Sequence, residues 1–421
     1  MNKFSEQNNI LNTLNSYKLE NGLRIIHRQF PSEISYCGLV INTGTRDEYP
    51  SEYGMAHFVE HMLFKGTKNR RAHHIMNRME NVGGDLNAYT TKEETFIYAT
   101  FLQEHFPRAM ELLSDIIFNS EFSENQISKE REVILDEINS YDDSPAELIF
   151  DDFENLMFEG HEIGHYILGY QETLNSFKSD NILNFVNRQY KMENMVLFSF
   201  GKTPFEKVIK QAEKHFAFKK NVFGALNTEV KKRQSPGYLK PISRVIQKNT
   251  TQSHVVLGWK TMNMYNPDKY VLYLLNSVLG GGSMNSRLNS SLREKHGLVY
   301  NVESNHTLYT DTGFLSIYYA CDPKNREKCR KLINKEIKRL MTKELTPMQL
   351  TVAKRQLMGQ MGISAENNES NSLVMAKSFL HFNQSSSLDI IFSKINNVTS
   401  AQILEMANEI FNTGEFELVY I

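Results

Sequence analysis

The sequence predicts an α+β protein of two homologous domains, each an antiparallel-rich β-sheet with helices packed on one face, arranged as a clamshell. Three observations lead to this prediction. The chain has 421 residues, which is long enough for two domains. Consecutive strand patterns followed by helix patterns occur twice along it, as expected for α+β domains. The two halves also share an internal repeat.

The repeat consists of two gapless alignments between the halves. ILNFVNRQYKMENMVLFSF, from Ile182, aligns with ILEMANEIFNTGEFELVYI, from Ile403, and both predict an amphipathic helix, a turn and a strand. SENQISKEREVILDEI, from Ser123, aligns with TPMQLTVAKRQLMGQM, from Thr346, and both predict a helix with a hydroxyl N-cap and a Gln three residues later. Two diverged copies of one domain follow.

The remaining elements fit the same duplication. Strand patterns in the first copy are GLRIIHRQF, YCGLVINTG and DLNAYTTKEETFIYATF, and those in the second are SRVIQKN, SHVVLGW and GFLSIYYAC. We predict an N-terminal domain over residues 1–218, a basic polar linker over 219–240 and a C-terminal domain over 241–421.

Composition narrows the class of protein without naming a partner. Hydrophobic residues make up 40%, charged residues 23%, and the net charge is -2, which describes a soluble globular protein with no indication of a nucleic-acid partner. The three cysteines, Cys37, Cys321 and Cys329, are odd in number and lack C-x-x-C spacing, which favours a reducing compartment. No apolar segment resembles a signal peptide or a membrane span. A cytoplasmic protein with no membrane partner is expected.

The segment GMAHFVEHMLFKGT, from Gly54 to Thr67, places three ionisable residues in an otherwise apolar helix pattern. His57 and His61 are four residues apart, so they lie on one side of a helix with Glu60 beside them. Neutral imidazoles bind zinc, and a catalytic zinc has three protein ligands. Chance occurrence, or core histidines satisfied by hydrogen bonds, is the alternative. Burying three unpaired ionisable groups is costly, which favours the metal site.

A third ligand is expected on the helix from Ser123. The apolar side of this helix pattern carries Ile127, Ile134 and Tyr141. Glu130 and Glu137 fall on the same side, whereas Glu132 points away. Either carboxylate can complete the site, and geometry alone does not choose between them; a pair held by Arg or Lys is the alternative. In the second copy these positions are Ala353 and Gln360, and no H-x-x-E-H occurs, so one zinc per chain is predicted.

These residues resemble the inverzincin zinc peptidases of the insulinase and pitrilysin family, particularly its processing-peptidase-like members. The matching segments cover nearly the whole chain and are HFVEHMLFKGT, GGDLNAYTTKEET, EREVILDEI, YILGYQETL and LGGGSMNSRLNSSLREKHGLVYNV. The resemblance implies a zinc endopeptidase in which His57, His61 and Glu137 bind the metal. It further implies that Glu60 is the general base and that Glu130 supports the ligands.

The resemblance also assigns residues that contact the substrate. Arg293 and Tyr300, in REKHGLVY, become donors to the oxyanion when the two halves close; many relatives have Arg where this chain has His296. Without the resemblance they are an ordinary surface Arg and core Tyr. Asn87 and Ala88 lie in a strand pattern that can accept a peptide by β-augmentation, although a normal sheet strand fits the same residues.

The leading hypothesis is therefore a zinc endopeptidase that cleaves peptides or unfolded protein segments. A dedicated peptidase that trims the leader of a precursor is an alternative within the same class. A non-catalytic scaffold subunit is the alternative from another class, and the complete set of catalytic positions counts against it. Because the chain carries both the metal motif and the Arg and Tyr pair, we predict a self-sufficient homodimer.

Overall fold

The computed structural model of the chain describes residues 14–217 and 231–421, which form two packing units. Unit 1 contains the described residues within 1–138, 165–233 and 365–385, and unit 2 those within 139–164, 234–364 and 386–421. Of the predicted linker, residues 219–230 lie outside the described residues, and 231–240 have no regular secondary structure. The predicted boundaries divide the chain by its repeat, whereas the packing units interleave along it.

Strands and helices alternate in blocks along the described residues. The strands are β1 (Leu14–Lys18), β2 (Arg24–Gln29), β3 (Ile34–Ile41), β4 (Asp85–Thr90), β5 (Thr95–Leu102), β6 (Met195–Gly201), β7 (Ser243–Ile246), β8 (Ser253–Thr261), β9 (Val299–Leu308), β10 (Gly313–Cys321) and β11 (Glu415–Tyr420). The helices are α1 (Met55–Met62), α2 (Ala72–Glu80), α3 (Phe106–Asn119), α4 (Glu124–Asp142), α5 (Pro145–Met157), α6 (Gln171–Ser176), α7 (Ser179–Gln189), α8 (Phe205–Phe216), α9 (Lys269–Leu279), α10 (Arg326–Thr342), α11 (Pro347–Ser364), α12 (Asn368–Phe382), α13 (Leu388–Asn396) and α14 (Ser400–Phe411). None of these helices has both the length and the apolar content that a bilayer crossing requires.

The strand order of the five-stranded sheet matches that of the six-stranded sheet without its first strand, β1, as the repeat predicts. Unit 1 has the order β1-β2-β6-β3-β5-β4 and unit 2 the order β7-β11-β8-β10-β9. One pair in each sheet is parallel, β2 with β6 and β7 with β11, and the other pairs are antiparallel. The aligned helices begin at Glu124 and Pro347, one residue after the predicted N-caps. The aligned final strands, β6 and β11, occupy equivalent positions in the two strand orders. The predicted α+β class with antiparallel-rich sheets is confirmed.

Each sheet also carries a helix on the face opposite its main core. In unit 1 this helix is α12, which comes from the second half of the sequence and packs Met375, Ala376 and Phe379 against Val40 and Phe198. In unit 2 it is α5, from the first half, which packs on β8, β10 and β11. Strands covered on both faces are mostly apolar, and every residue of β6 is buried, Ser199 included. The two halves of the sequence therefore exchange one helix each.

Candidate metal centre

Helix α1 begins at a position that only glycine tolerates. Gly54 has φ +95°, and a Cβ there would lie 2.7 Å from the carbonyl oxygen of Leu168. The buried carboxylate of Glu48 accepts hydrogen bonds from the backbone N–H groups of Gly54 (2.9 Å) and Ala56 (2.7 Å). These are donors that a helix leaves unpaired at its N-terminus. Glu48 therefore fixes the first turn of the helix that carries the histidines.

A third residue supports this carboxylate. His165 Nε2 lies 3.1 Å from Glu48 Oε2, and its ring stacks on Tyr53 with centroids 3.8 Å apart. Burial raises the pKa of Glu48 well above its usual range, although the two backbone donors oppose this shift. Burial likewise lowers the pKa of His165 to about 3, which keeps its imidazole neutral.

The two sides of α1 have different surroundings. Its apolar side chains Met55, Phe58, Val59 and Met62 are fully buried in the main core of unit 1. His57 and Glu60 are each 8% exposed, and the side chain of His61 is 22% exposed. The rings of His57 and His61 lie 4.5 Å apart between centroids. The i, i+4 spacing thus brings both imidazoles to one place, as expected from helix geometry.

Helix α4 places its two core-side carboxylates differently. Ile127 and Ile134 are fully buried, and Glu130 is 3% exposed. Glu137 is the half-buried residue whose oxygen faces both histidines, and Glu132 is exposed. Tyr141, however, is 37% exposed. The prediction that it faces the core with the two isoleucines is wrong, because α4 continues past residue 138, where unit 1 ends.

His57, His61 and Glu137 offer one donor atom each within 4.8 Å of one another. Glu137 Oε2 lies 4.0 Å from His57 Nε2 and 3.8 Å from His61 Nε2. A tetrahedral zinc, with bonds of 2.0–2.2 Å, requires donors about 3.4 Å apart, so the two distances to Glu137 exceed this spacing by about 0.5 Å. Burial, followed by the charge of His61, lowers the pKa of His57 to about 3. A neutral imidazole is the form that binds metal, and these three residues therefore fit zinc.

Glu130 contacts the opposite nitrogen of His61. Its Oε1 lies 2.8 Å from His61 Nδ1, and its Oε2 lies 2.7 Å from Lys65 Nζ. Burial alone would raise the pKa of Glu130, but the hydrogen bonds from His61 and Lys65 lower it. Because the charged carboxylate accepts a hydrogen bond, Nδ1 is the protonated nitrogen. Nε2 is then unprotonated, and its lone pair can bind a metal ion. Such a contact orients a metal-binding histidine.

Glu60 lies beside the cluster rather than in it. Thr90 Oγ1 donates a hydrogen bond of 2.5 Å to Glu60 Oε2. Burial raises the pKa of Glu60, and the hydrogen bond from Thr90 opposes that shift. A carboxylate with a raised pKa, held by one oxygen, is suited to accept a proton near neutral pH.

The edge strand β4 lines a cleft next to these residues. Among the residues that the structure describes, β4 pairs only with β5, so its outer backbone groups form no ladder with another described strand. Asn87 is exposed and Ala88 is half-buried. The cleft measures about 430 Å³, and its lining includes both of these residues, Glu60 and His61. A peptide laid along β4 would pass Glu60.

Arg293 and Tyr300 belong to unit 2. Arg293 ends a π-helical turn (Asn289–Glu294), and Tyr300 is the second residue of β9. The Arg293 guanidinium carbon lies 6.0 Å from the centre of the Tyr300 ring, within cation–π distance. Tyr300 is 83% exposed, so the alternative of an ordinary core tyrosine does not hold.

Three supporting residues were not predicted. Thr90 shares a strand face with Ala88 by period-two alternation, which is a signal that the sequence offers. Lys65 follows His61 by four residues but lies beyond the end of α1. Glu48 acts from a loop, where periodicity gives no information. None of the three belongs to a spacing pattern that indicates metal binding.

Family models match both halves of the chain. A sequence model described as "Insulinase (Peptidase family M16)" matches residues 24–170, and one described as "Peptidase M16 inactive domain" matches residues 176–357. The chain belongs to peptidase family M16. The predicted family is thereby confirmed; the second match begins at residue 176, inside the predicted N-terminal domain of residues 1–218, so the two matches do not divide the chain at the repeat.

Relatives of this M16 chain extend over nearly its full length. An uncharacterized zinc protease of Bacillus subtilis is 33% identical over 406 residues, covering 96% of this chain and 97% of that protein. An uncharacterized zinc protease of Rickettsia bellii is also 33% identical, over 401 residues and 95% of each chain. The crystal structure of a protease from Helicobacter pylori superposes with a TM-score of 0.91 at 21% identity, covering 98% of this chain and 100% of that one. Family and relatives together support a zinc metallopeptidase that acts on peptides.

Proposed function

We propose that this chain is a zinc endopeptidase that hydrolyses peptides or unfolded protein segments. The observation that carries the proposal is the cluster of His57, His61 and Glu137, with Glu60 adjacent on the same helix. Two imidazoles, one carboxylate and a nearby second carboxylate are the set of groups that metal-assisted hydrolysis requires. One zinc per chain follows, since this is the one such cluster within residues 14–217 and 231–421.

Each residue of the cluster has a defined part in the proposal. His57, His61 and Glu137 would hold the ion, which supplies Lewis acidity that polarises a carbonyl and makes water more acidic. Glu130 holds His61 in one tautomer. Glu60 takes the proton of the attacking water on its carboxylate and returns it to the leaving amine. Thr90 keeps that carboxylate in one orientation.

The substrate is proposed to bind as an added strand. The outward-facing backbone groups of β4, in the segment that contains Asn87 and Ala88, would pair with an extended peptide. Only a chain that can be extended makes such pairs, so the proposal favours peptides and unfolded segments over folded proteins. Arg293 and Tyr300 are proposed to donate hydrogen bonds to the oxyanion that develops on the scissile carbonyl.

The deciding experiment compares the wild type with Glu60→Gln on a quenched-fluorescent peptide mixture. Wild-type cleavage should disappear with a chelator and return with zinc. Glu60→Gln should retain zinc, measured by metal analysis after dialysis, yet cleave nothing. Glu132→Gln, an exposed change of the same chemistry on α4, is the control and should match the wild type. Zinc binding without any wild-type cleavage would favour the scaffold alternative.

Two finer expectations stay predictions. Mapping the cleaved bonds separates general peptide degradation, which gives scattered sites, from dedicated leader processing, which gives one site per precursor. The homodimer and the cytoplasmic location also stay predictions; light scattering of the purified chain tests the first, and cell fractionation tests the second.

A further inference from the structure

A second cleft adjoins the one that contains Glu60. It measures about 620 Å³ and is formed in unit 1 by the segment between α1 and α2 together with the start of α4. The two clefts share Lys65, Ala72 and His73 in their linings. A peptide that lies across Glu60 can therefore place its next residues in the second cleft.

The lining of this second cleft is rich in cations. Four of its side chains are basic, namely Lys65, Lys68, Arg70 and Arg71, and one, Glu121, is acidic. His73 and His74 add ring N–H groups, and their rings lie 3.9 Å apart. This balance contrasts with the chain as a whole, whose net charge is -2. The side chains that line the cleft therefore carry more positive than negative charge before their ion pairs with residues outside the lining are counted.

Two of the four cations are already paired. Lys65 contacts Glu130 at 2.7 Å. Arg70 contacts Asp115 at 2.5 Å and Glu111 at 2.7 Å. These pairs neutralise much of the charge of Lys65 and Arg70 and fix the walls of the cleft.

Lys68 and Arg71 differ from these two. Both are exposed, and neither forms an ion pair within the described parts of the chain. Glu121, the acidic residue of the lining, is likewise exposed and forms no ion pair with a described residue. Two available cations thus outnumber one available carboxylate, and arginine adds a planar group that binds a carboxylate through two hydrogen bonds.

We infer that Lys68 and Arg71 bind a carboxylate of the peptide that occupies the adjoining cleft. This inference rests on the proposed function and adds a substrate class to it: peptides with an acidic group near the scissile bond. The carboxylate can belong to an Asp or Glu side chain or to the C-terminus of a short peptide. Both present the same two oxygens to the guanidinium.

The test measures binding, so that it does not depend on turnover. Fluorescent peptides that carry one Glu, moved residue by residue across a neutral sequence, are titrated onto the Glu60→Gln protein at low salt. A matched series carries Gln, and a third arm compares free and amidated C-termini. We expect one or two adjacent Glu positions to bind about fivefold more tightly than Gln, the scale of an exposed ion pair. Salt at 1 M should remove the difference.

Variants assign the effect to the named side chains. Lys68→Gln combined with Arg71→Gln should abolish the preference for Glu while leaving the affinity for neutral peptides unchanged. Glu121→Gln should increase the preference, since it removes the opposing charge. Lys207→Gln combined with Lys210→Gln, on exposed positions of α8 outside both clefts, is the matched control.

The outcomes are distinct. A preference that survives the double change at Lys68 and Arg71, or Glu and Gln series that bind equally at every position, overturns the inference. If amidation of the C-terminus lowers the affinity and the position of Glu does not change it, the C-terminal carboxylate is the ligand. If the position of Glu changes the affinity and amidation does not, the Glu side chain is the ligand. Absence of cleavage by the wild type contradicts the proposed function but leaves these binding results decisive for the cleft.

Discussion

Glu130 and Glu137, seven residues apart on α4, contact opposite nitrogens of the same imidazole. Glu130 Oε1 lies 2.8 Å from His61 Nδ1, and Glu137 Oε2 lies 3.8 Å from His61 Nε2. Two turns of one helix therefore supply both a candidate ligand and the group that orients its neighbour. Substitution of Glu130 alone tests the second of these roles.

Glu130→Gln should weaken zinc binding about 10-fold to 100-fold, because His61 loses the charged acceptor that fixes its tautomer. Competition with a chromophoric chelator measures the affinity. Glu132→Gln, two residues away and exposed, should leave it unchanged. Equal affinities for all three proteins would contradict the role given to Glu130.

Tyr300→Phe should lower kcat about 100-fold with little change in KM, since it removes one hydrogen-bond donor proposed for the oxyanion. Steady-state cleavage of one quenched peptide provides both constants. Tyr238→Phe removes a hydroxyl from a tyrosine of similar exposure, 85% against 83%, and should have no effect. A loss confined to KM would instead assign Tyr300 to ground-state binding.

Gly54→Ala should destabilise the protein by about 3 kcal/mol for two reasons. Alanine is strained in the left-handed backbone conformation at this position, and its Cβ would lie 2.7 Å from the carbonyl oxygen of Leu168 and 2.8 Å from the Cα of Gly169. Gly83→Ala separates the two causes: Gly83 has φ +70° but nothing within 4 Å of its added Cβ, so only the backbone cost of about 1 kcal/mol applies. Urea unfolding measures both. Similar costs at the two sites would show that the contacts with Leu168 and Gly169 relax freely.

Stability should fall between pH 7 and pH 5 partly through His27, which is fully buried and stacks on Phe205. Burial lowers its pKa from 6.5 to about 4. The unfolded chain therefore binds a proton at His27 below pH 6.5, whereas the folded protein binds it only near pH 4. The contribution of His27 to the free energy of unfolding is complete above pH 6.5 and is lost as the pH falls towards 4. The contribution between pH 7 and pH 5 is about 2 kcal/mol. His27→Leu should reduce the change in the free energy of unfolding between pH 7 and pH 5, measured by urea unfolding, by that amount. An unchanged pH dependence would rule His27 out as a cause.

Much of the site follows from spacing alone. His57, Glu60 and His61 are placed by the helix period, and the repeat predicts where α4 begins and where β6 and β11 end each copy. The choice between Glu130 and Glu137 does not follow, since residues seven apart lie on the same side of a helix. They are separated by about 10 Å along the helix axis, so the position of α4 along its axis relative to α1 decides which carboxylate faces the histidines. Strand β9 was not predicted, because VYNVESNHTL carries polar residues that an edge strand tolerates.

The sequence does not predict that the two halves exchange a helix. The apolar residues of α12 predict that the helix is buried, but nothing in them specifies which sheet it covers. That choice depends on packing between segments separated by more than 160 residues. Tertiary contacts of this kind leave no local pattern.

The exchange of α5 and α12 has a consequence for synthesis of the protein. Strands β2 to β6 leave the ribosome long before residues 368–382, which form α12. Until α12 is synthesised, Val40, Phe96 and Phe198 on the sheet of unit 1 lack the helix that covers them. Exposed apolar strands in a waiting intermediate are prone to aggregate. Neither half of the sequence therefore supplies every helix that covers its own sheet, and each sheet is covered on its second face only when the other half is also present.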